Sequence, residues 1–224
     1  MRKLIFSIAL LILALGFNAA FADTIIASNS GGHVGFNYIP FSSDSGTGRY
    51  QEIYSSSLFS GPVQITSLAF SPNADTFYSA NVSLRMTTTT AAVGSLSPNL
   101  DSNFIIPLTT VYSNPSFGEN VTGGSETFSL IFNFTTPFNY DPAQGNLLFD
   151  LLISNQNVSL AFSRSDDGPI LSRAWNNVGY GNNADGVGLR TEIGYTSGVP
   201  EPSTLLMLGT GIAGLAGTLR RRLM

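Results

Sequence analysis

The sequence predicts an all-β protein: a jelly-roll-like β-sandwich body flanked by an N-terminal signal peptide and a single C-terminal apolar helix. Three observations carry that prediction. Residues from about 23 to 197 show almost no helical periodicity but hold many short β-rich runs separated by Gly, Pro, Asn and Asp. Several runs alternate apolar and polar residues with a period of two, as a strand does when one face lies in a core. Each end of the chain carries an apolar run beside basic residues, which sets the ends apart from the body.

In chain order, strands are expected near Val34–Ile39, Arg49–Tyr54 and Val63–Phe70. Val82, Leu84 and Met86 then point one way while Ser83, Arg85 and Thr87 point the other, giving a half-buried strand. Leu108–Tyr112 follows, and Glu126–Thr135 places Phe128, Leu130, Phe132 and Phe134 on one face. Leu147–Ile153 is apolar on both faces apart from Asp150. It reads as a central strand covered on each side, where a carboxylate needs hydrogen-bonded partners. Val158, Leu160 and Phe162, then Val187–Tyr195, complete roughly eight to ten strands, spaced by turn clusters as in sandwiches.

Composition sets the broad class. With 224 residues, 43% of them apolar and 11% charged, the chain is long enough for one sizeable core, and one folded domain is expected over residues 23–197. The absence of cysteine excludes a disulfide framework and thiolate metal sites. The net charge of −4 is unevenly spread, because Arg2, Lys3, Arg220, Arg221 and Arg222 sit at the ends. Between Asp23 and Gly198 there are five arginines, no lysine and thirteen acidic residues, a formal charge of −8. Scattered arginines on so acidic a body cannot displace counterions from a phosphate backbone, so nucleic acid is not an expected partner.

The ends read as addresses. Arg2-Lys3, the apolar run Leu4–Phe17 and Ala20-Phe21-Ala22 follow the order of a secretory signal peptide spanning residues 1–22. The small residues Ala20 and Ala22 fit a peptidase's narrow subsites, and cleavage is expected after Ala22, with the Sec translocon and signal peptidase as partners. At the other end, residues 198–224 hold Pro200-Glu201-Pro202, the apolar segment Thr204–Leu219 and the triplet Arg220, Arg221 and Arg222. Arginines directly after an apolar helix resist translocation and hold that end in the cytoplasm. Sixteen helical residues span roughly 24 Å, short of the ~30 Å hydrocarbon core, so a transient inner-membrane anchor is expected rather than a permanent one. The two prolines keep the backbone around Glu201 out of a regular helix and open to a processing enzyme.

These three features in this order, Val-Pro-Glu-Pro-Ser, a Leu/Gly/Ala-rich apolar helix and a terminal arginine cluster, resemble the PEP-CTERM sorting domain. The resemblance covers about the last 26 residues. It implies that Pro200, Glu201 and Pro202 are the recognition element of an exosortase, a membrane-embedded protease or transpeptidase. It further implies release or transfer to the outer surface, often in bacteria that make exopolysaccharide or biofilm matrix. Arg49–Tyr54, Leu58–Pro62, Pro137–Ala143 and Gly145–Leu148 look like body segments of proteins with the same tail, a likeness that brings no activity.

Residues for catalysis are hard to assemble, and no enzyme is expected. The sole histidine, His33, lies in Gly31-Gly32-His33-Val34-Gly35, so any Ser-His-Asp arrangement would run through one loop residue. Thirteen carboxylates single out no pair across a cleft. No cofactor is expected, with calcium as the exception to weigh. Asp166-Asp167-Gly168 and Asn182-Asn183-Ala184-Asp185-Gly186 place oxygen ligands beside glycines, as some calcium loops do, but neither has EF-hand spacing. Asp166, Asp167 and Asp185 are therefore weak calcium candidates, with ordinary turn chemistry the simpler reading. Trp175, with Tyr180 nearby, is a candidate sugar contact, against the simpler reading of a packing residue. The ranked expectations are a surface or matrix-associated structural protein, then a lectin-like carbohydrate-binding module near extracellular polysaccharide, and last an uncharacterised hydrolase.

Overall fold

Alternating side chains need two sheets to share one core, and the chain builds them. The computed structural model describes residues 22–29, 34–42, 48–177 and 181–197, together with Gly211. The signal peptide, the C-terminal apolar helix and their residues Ala20, Pro200, Glu201, Pro202, Arg220, Arg221 and Arg222 lie outside the described residues, as does His33. Ala22–Ser197 forms one compact unit.

Thirteen strands are described: β1 Ala22–Ala27, β2 Phe36–Asn37, β3 Gly48–Tyr54, β4 Val63–Phe70, β5 Thr76–Thr89, β6 Thr109–Val121, β7 Leu130–Tyr140, β8 Asn146–Ser154, β9 Phe162–Ser165, β10 Leu171–Asn177, β11 Gly181–Asp185, β12 Gly188–Leu189 and β13 Thr191–Thr196. One sheet has the order β1-β13-β4-β7, a second β11-β10-β3-β8-β5-β6, and a small third sheet β12-β9-β2. Every pairing is antiparallel. The chain crosses between the two large sheets from β3 to β4, β4 to β5, β6 to β7 and β7 to β8. The facing sets β1-β13-β4-β7 and β3-β8-β5-β6 thus follow the strand order of a jelly roll, with β9 to β12 inserted before the last strand.

The two inner faces meet in one core. Leu68 and Phe70 of β4, Phe132 of β7 and Ile193 of β13 pack against Tyr54, Leu84, Met86 and Phe149 from the six-stranded sheet, all fully buried. Ring centroids of Phe70 and Phe149 lie 6.1 Å apart and those of Phe117 and Phe132 5.2 Å apart, joining the sheets through tilted aromatic contacts. Phe41 and Phe162 continue this core beneath the third sheet, 4.3 Å apart.

β8 is central, hydrogen-bonded to β3 on one side and β5 on the other. Its Leu147, Phe149, Leu151 and Ile153 face the core, and its Leu148 faces outward yet is still fully buried. The cover is the connection between β5 and β6. Leu96 and Leu100 of that connection pack on Ile53, Leu148 and Ala174 in a second apolar cluster on the outer face of the six-stranded sheet. The expectation of a strand covered on both sides is thereby met.

Other expectations need correction. Strand β7 begins at Leu130 rather than Glu126 and runs on to Tyr140, because Ser125 and Glu126 form a turn ahead of it. Only Phe162 of the Val158–Phe162 run lies in a strand, and Val187–Tyr195 divides into β12 and β13 at Arg190. Of Val34–Ile39 only Phe36 and Asn37 pair, and Leu108–Tyr112 is the start of the longer β6, Thr109–Val121. Residues 182–185, read from sequence as a loop, form most of strand β11, because they pair with β10. Gly145 closes the turn after Pro142–Gln144 at φ 134, where a Cβ would lie 2.5 Å from the Thr89 carbonyl oxygen. Glycine is required there on both counts.

Candidate functional site

Period-two geometry sorts the polar residues of the six-stranded sheet onto its two faces, and each face carries one charged group of residues. On the outer face, Asp150 stands opposite Gln51 on one side and Arg85 on the other. Its side chain is fully buried, so its charge must be met within the protein. Arg49 Nε donates to both carboxylate oxygens at 3.0 Å, while Arg85 Nη2 and Gln51 Nε2 donate to Oδ2 at 3.1 Å. Arg49 also reaches Asp101 in the covering connection at 2.6 Å, and this guanidinium holds the Asp101 carboxyl below its usual range. Asn103 Nδ2 donates to Gln51 Oε1 at 2.8 Å, and Gln51 Nε2 donates to the Leu100 carbonyl at 3.0 Å. The group is a clasp that ties the β5–β6 connection to the sheet.

The inner face carries a second row. Glu52, Arg173 and Asp185 are direct cross-strand neighbours on β3, β10 and β11. Arg173 makes a bidentate pair with Asp185, Nε to Oδ1 at 2.8 Å and Nη2 to Oδ2 at 2.9 Å. Glu52 is fully buried and accepts hydrogen bonds at Oε2 from the Tyr50 hydroxyl and, at 3.0 Å, from the Leu189 amide. Burial pushes the Glu52 carboxyl up to about 8, against the lowering pull of those two donors and of Arg173. Glu52 Oε1, Arg173 Nη1 and Trp175 Nε1 are buried without a hydrogen-bond partner among the described residues.

Two sequence candidates belong to this row. Trp175 is half-buried against the core, and the Arg173 guanidinium lies 4.5 Å from its ring centroid, occupying one ring face. Asp185 is the carboxylate that pairs with Arg173. Asp167 comes close to it in the chain fold, since a Cβ on Gly186 would collide with Asp167 Oδ1. Asp166 lies at 4.0 Å from Arg164, on the surface. Among the described residues no group of three His, Cys, Asp or Glu side chains is placed to hold a metal ion. Ala22, the last residue of the expected signal peptide, opens β1 at an exposed position paired with Thr196.

Glu52 was not singled out by the sequence, although Tyr50, Glu52 and Tyr54 alternate with a period of two and so share one face of the strand, the face that lies in the core. That spacing was the available signal. The outer face of β5 also holds an open cleft of about 270 Å³, lined by Phe77, Ser79, Asn81, Ser116, Gly118 and Asn155 together with Ala80 and Phe117.

The body is therefore an all-β sandwich whose charged groups are engaged in holding its strands and its long connection in place. The comparison that assigns a class to the chain falls at its end: residues 198–222 match the PEP-CTERM protein-sorting motif. This motif implies an exported protein that an exosortase processes and that is bound for the cell surface or the extracellular space. No curated protein matches the chain.

Proposed function

We propose that the chain is an exported cell-envelope protein whose sandwich serves as a structural module at the surface or in an exopolysaccharide or biofilm matrix. The observation that carries this reading is the sorting motif at residues 198–222, which follows the compact β unit Ala22–Ser197 in the chain. The signal peptide delivers the body outward, and the segment Thr204–Leu219 halts transiently in the inner membrane with Arg220, Arg221 and Arg222 inside. Pro200, Glu201 and Pro202 are then presented to the exosortase on the outer side. The reading gives the body no catalytic role and no cofactor. In support of that reading, the most perturbed carboxyl among the described residues, Glu52, is fully buried and held by a tyrosine and a backbone amide rather than lining an open cleft.

The test replaces Pro200, Glu201 and Pro202 by alanine in cells with an active exosortase. A larger, membrane-associated species should accumulate on fractionation and immunoblotting. Unchanged size and destination would contradict the reading. A second reading, a lectin-like carbohydrate-binding module, is favoured by the cleft at Phe77.

A further inference from the structure

The outer face of the six-stranded sheet is only partly covered by the β5–β6 connection. Beyond the Asp150 clasp, β5 continues with Asn81, Ser79 and Phe77 pointing away from the core, since Val82, Ala80 and Tyr78 point into it. Phe77 is 52% exposed, so its ring face is open to a ligand. The tip of the ring reaches over β6, where a Cβ on Gly118 would sit 2.8 Å from Phe77 Cζ, so the glycine gives the ring room beside that strand. The remaining wall is made of short hydroxyl and amide side chains. Those of Ser79, Asn81, Ser116 and Asn155 make no hydrogen bond to another described residue, and no charged residue lines the cleft. Asn155 is held at φ 57, at the turn that ends β8.

We propose that this cleft is a saccharide site that takes a neutral sugar unit of a polysaccharide chain. The C–H face of a pyranose ring is apolar and pairs with an aromatic ring, while its hydroxyls both donate and accept, as do the amides and hydroxyls around Phe77. A cleft of about 270 Å³ falls just below the ~300–1,000 Å³ of small-molecule pockets, which matches one sugar ring rather than an extended segment. The lack of cations in the lining excludes uronate or sulfated sugars as the preferred ligand. This inference rests on the carbohydrate reading above and is independent of the sorting tail.

The test uses the purified full-length chain in mild detergent, sedimented with insoluble β-glucan, with mannan beads and, as the acidic probe, with alginate beads. Retention on a neutral polysaccharide is expected, reduced roughly tenfold by Phe77→Ala and also by Asn81→Ala, with thermal unfolding unchanged. Trp175→Phe should bind as the parent does. Retention that survives Phe77→Ala and Asn81→Ala, or that is lost in Trp175→Phe, overturns this site while leaving a carbohydrate role standing. Absence of retention on every neutral probe, or retention on alginate alone, overturns the site and the carbohydrate reading together.

Discussion

At the scale of single residues, two buried carboxylates show how neighbours decide a role. Asp150 is surrounded by the donors of Arg49, Arg85 and Gln51 and is the hub of a clasp. Glu52 faces Tyr50 and Tyr54 from its own strand, Arg173 and beyond it Asp185 from β10 and β11, and the Leu189 amide from β12. Burial dominates there and favours the neutral acid up to about 8, against an ordinary 4.5. Between these two values the unfolded chain has released a proton that the folded protein retains. The stabilising contribution is therefore full below 4.5 and is lost progressively as the pH rises through about 8. Glu52→Gln keeps a neutral side chain at every pH. Thermal unfolding between pH 5 and 8.5 should show a parent whose stability declines with pH more steeply than that of the variant, by at most about 1.4 kcal/mol per pH unit. Equal slopes would mean that Glu52 ionises freely in the fold.

Among the elements, the connection between β5 and β6 is the least ordinary. A long loop without regular strands is expected to stay on the surface and move, yet this one is bound down by apolar and polar contacts together. Leu96 and Leu100 fill the second cluster against Ile53, Leu148 and Ala174, while Asp101 and Asn103 reach Arg49 and Gln51. Gly94 donates its amide to the Ser172 hydroxyl at 2.8 Å, extending the attachment to β10. Leu100→Ala should cost about 2 kcal/mol in denaturant unfolding and should speed amide exchange over residues 94–103. A loss below about 0.5 kcal/mol, the size typical of a surface substitution, would show that the connection is not a packed part of the domain. The sequence signalled this cover only indirectly. Leu147–Ile153 was apolar on both faces, which demanded something above Leu148, but the turn-like Ser95–Asn103 stretch carried too few apolar residues to name itself as the cover. Strands β10 and β11 were missed for a related reason. Ser172, Arg173, Asn176 and Asn182 are polar, and their place in the sheet comes from pairing with β3 and from the Arg173–Asp185 bridge, which no local pattern reveals.

For the whole molecule, the sandwich was legible because β5 alternates cleanly and β8 is a continuous apolar run, and the strand order in the sheets follows the jelly-roll wrap. The inward face of β5 could be followed back from Met86 to Tyr78, which also places Phe77 outward, although the cleft beside it needs Ser116 and Gly118 of β6 and Asn155 after β8 to exist. Such a site is assembled by long-range pairing and has no sequence spacing of its own. The tail was legible for the opposite reason, since a sorting signal is read by other proteins as a linear segment and carries its whole meaning in Pro200-Glu201-Pro202, an apolar run and three arginines. The central claim is that this tail is an address removed from a finished sandwich. Intact mass of the protein recovered from the surface of cells with an active exosortase tests it most directly. A species lacking the first 22 residues and cut near Pro200–Pro202 is expected, and a surface species that still carries Arg220, Arg221 and Arg222 would mean that the tail is not removed.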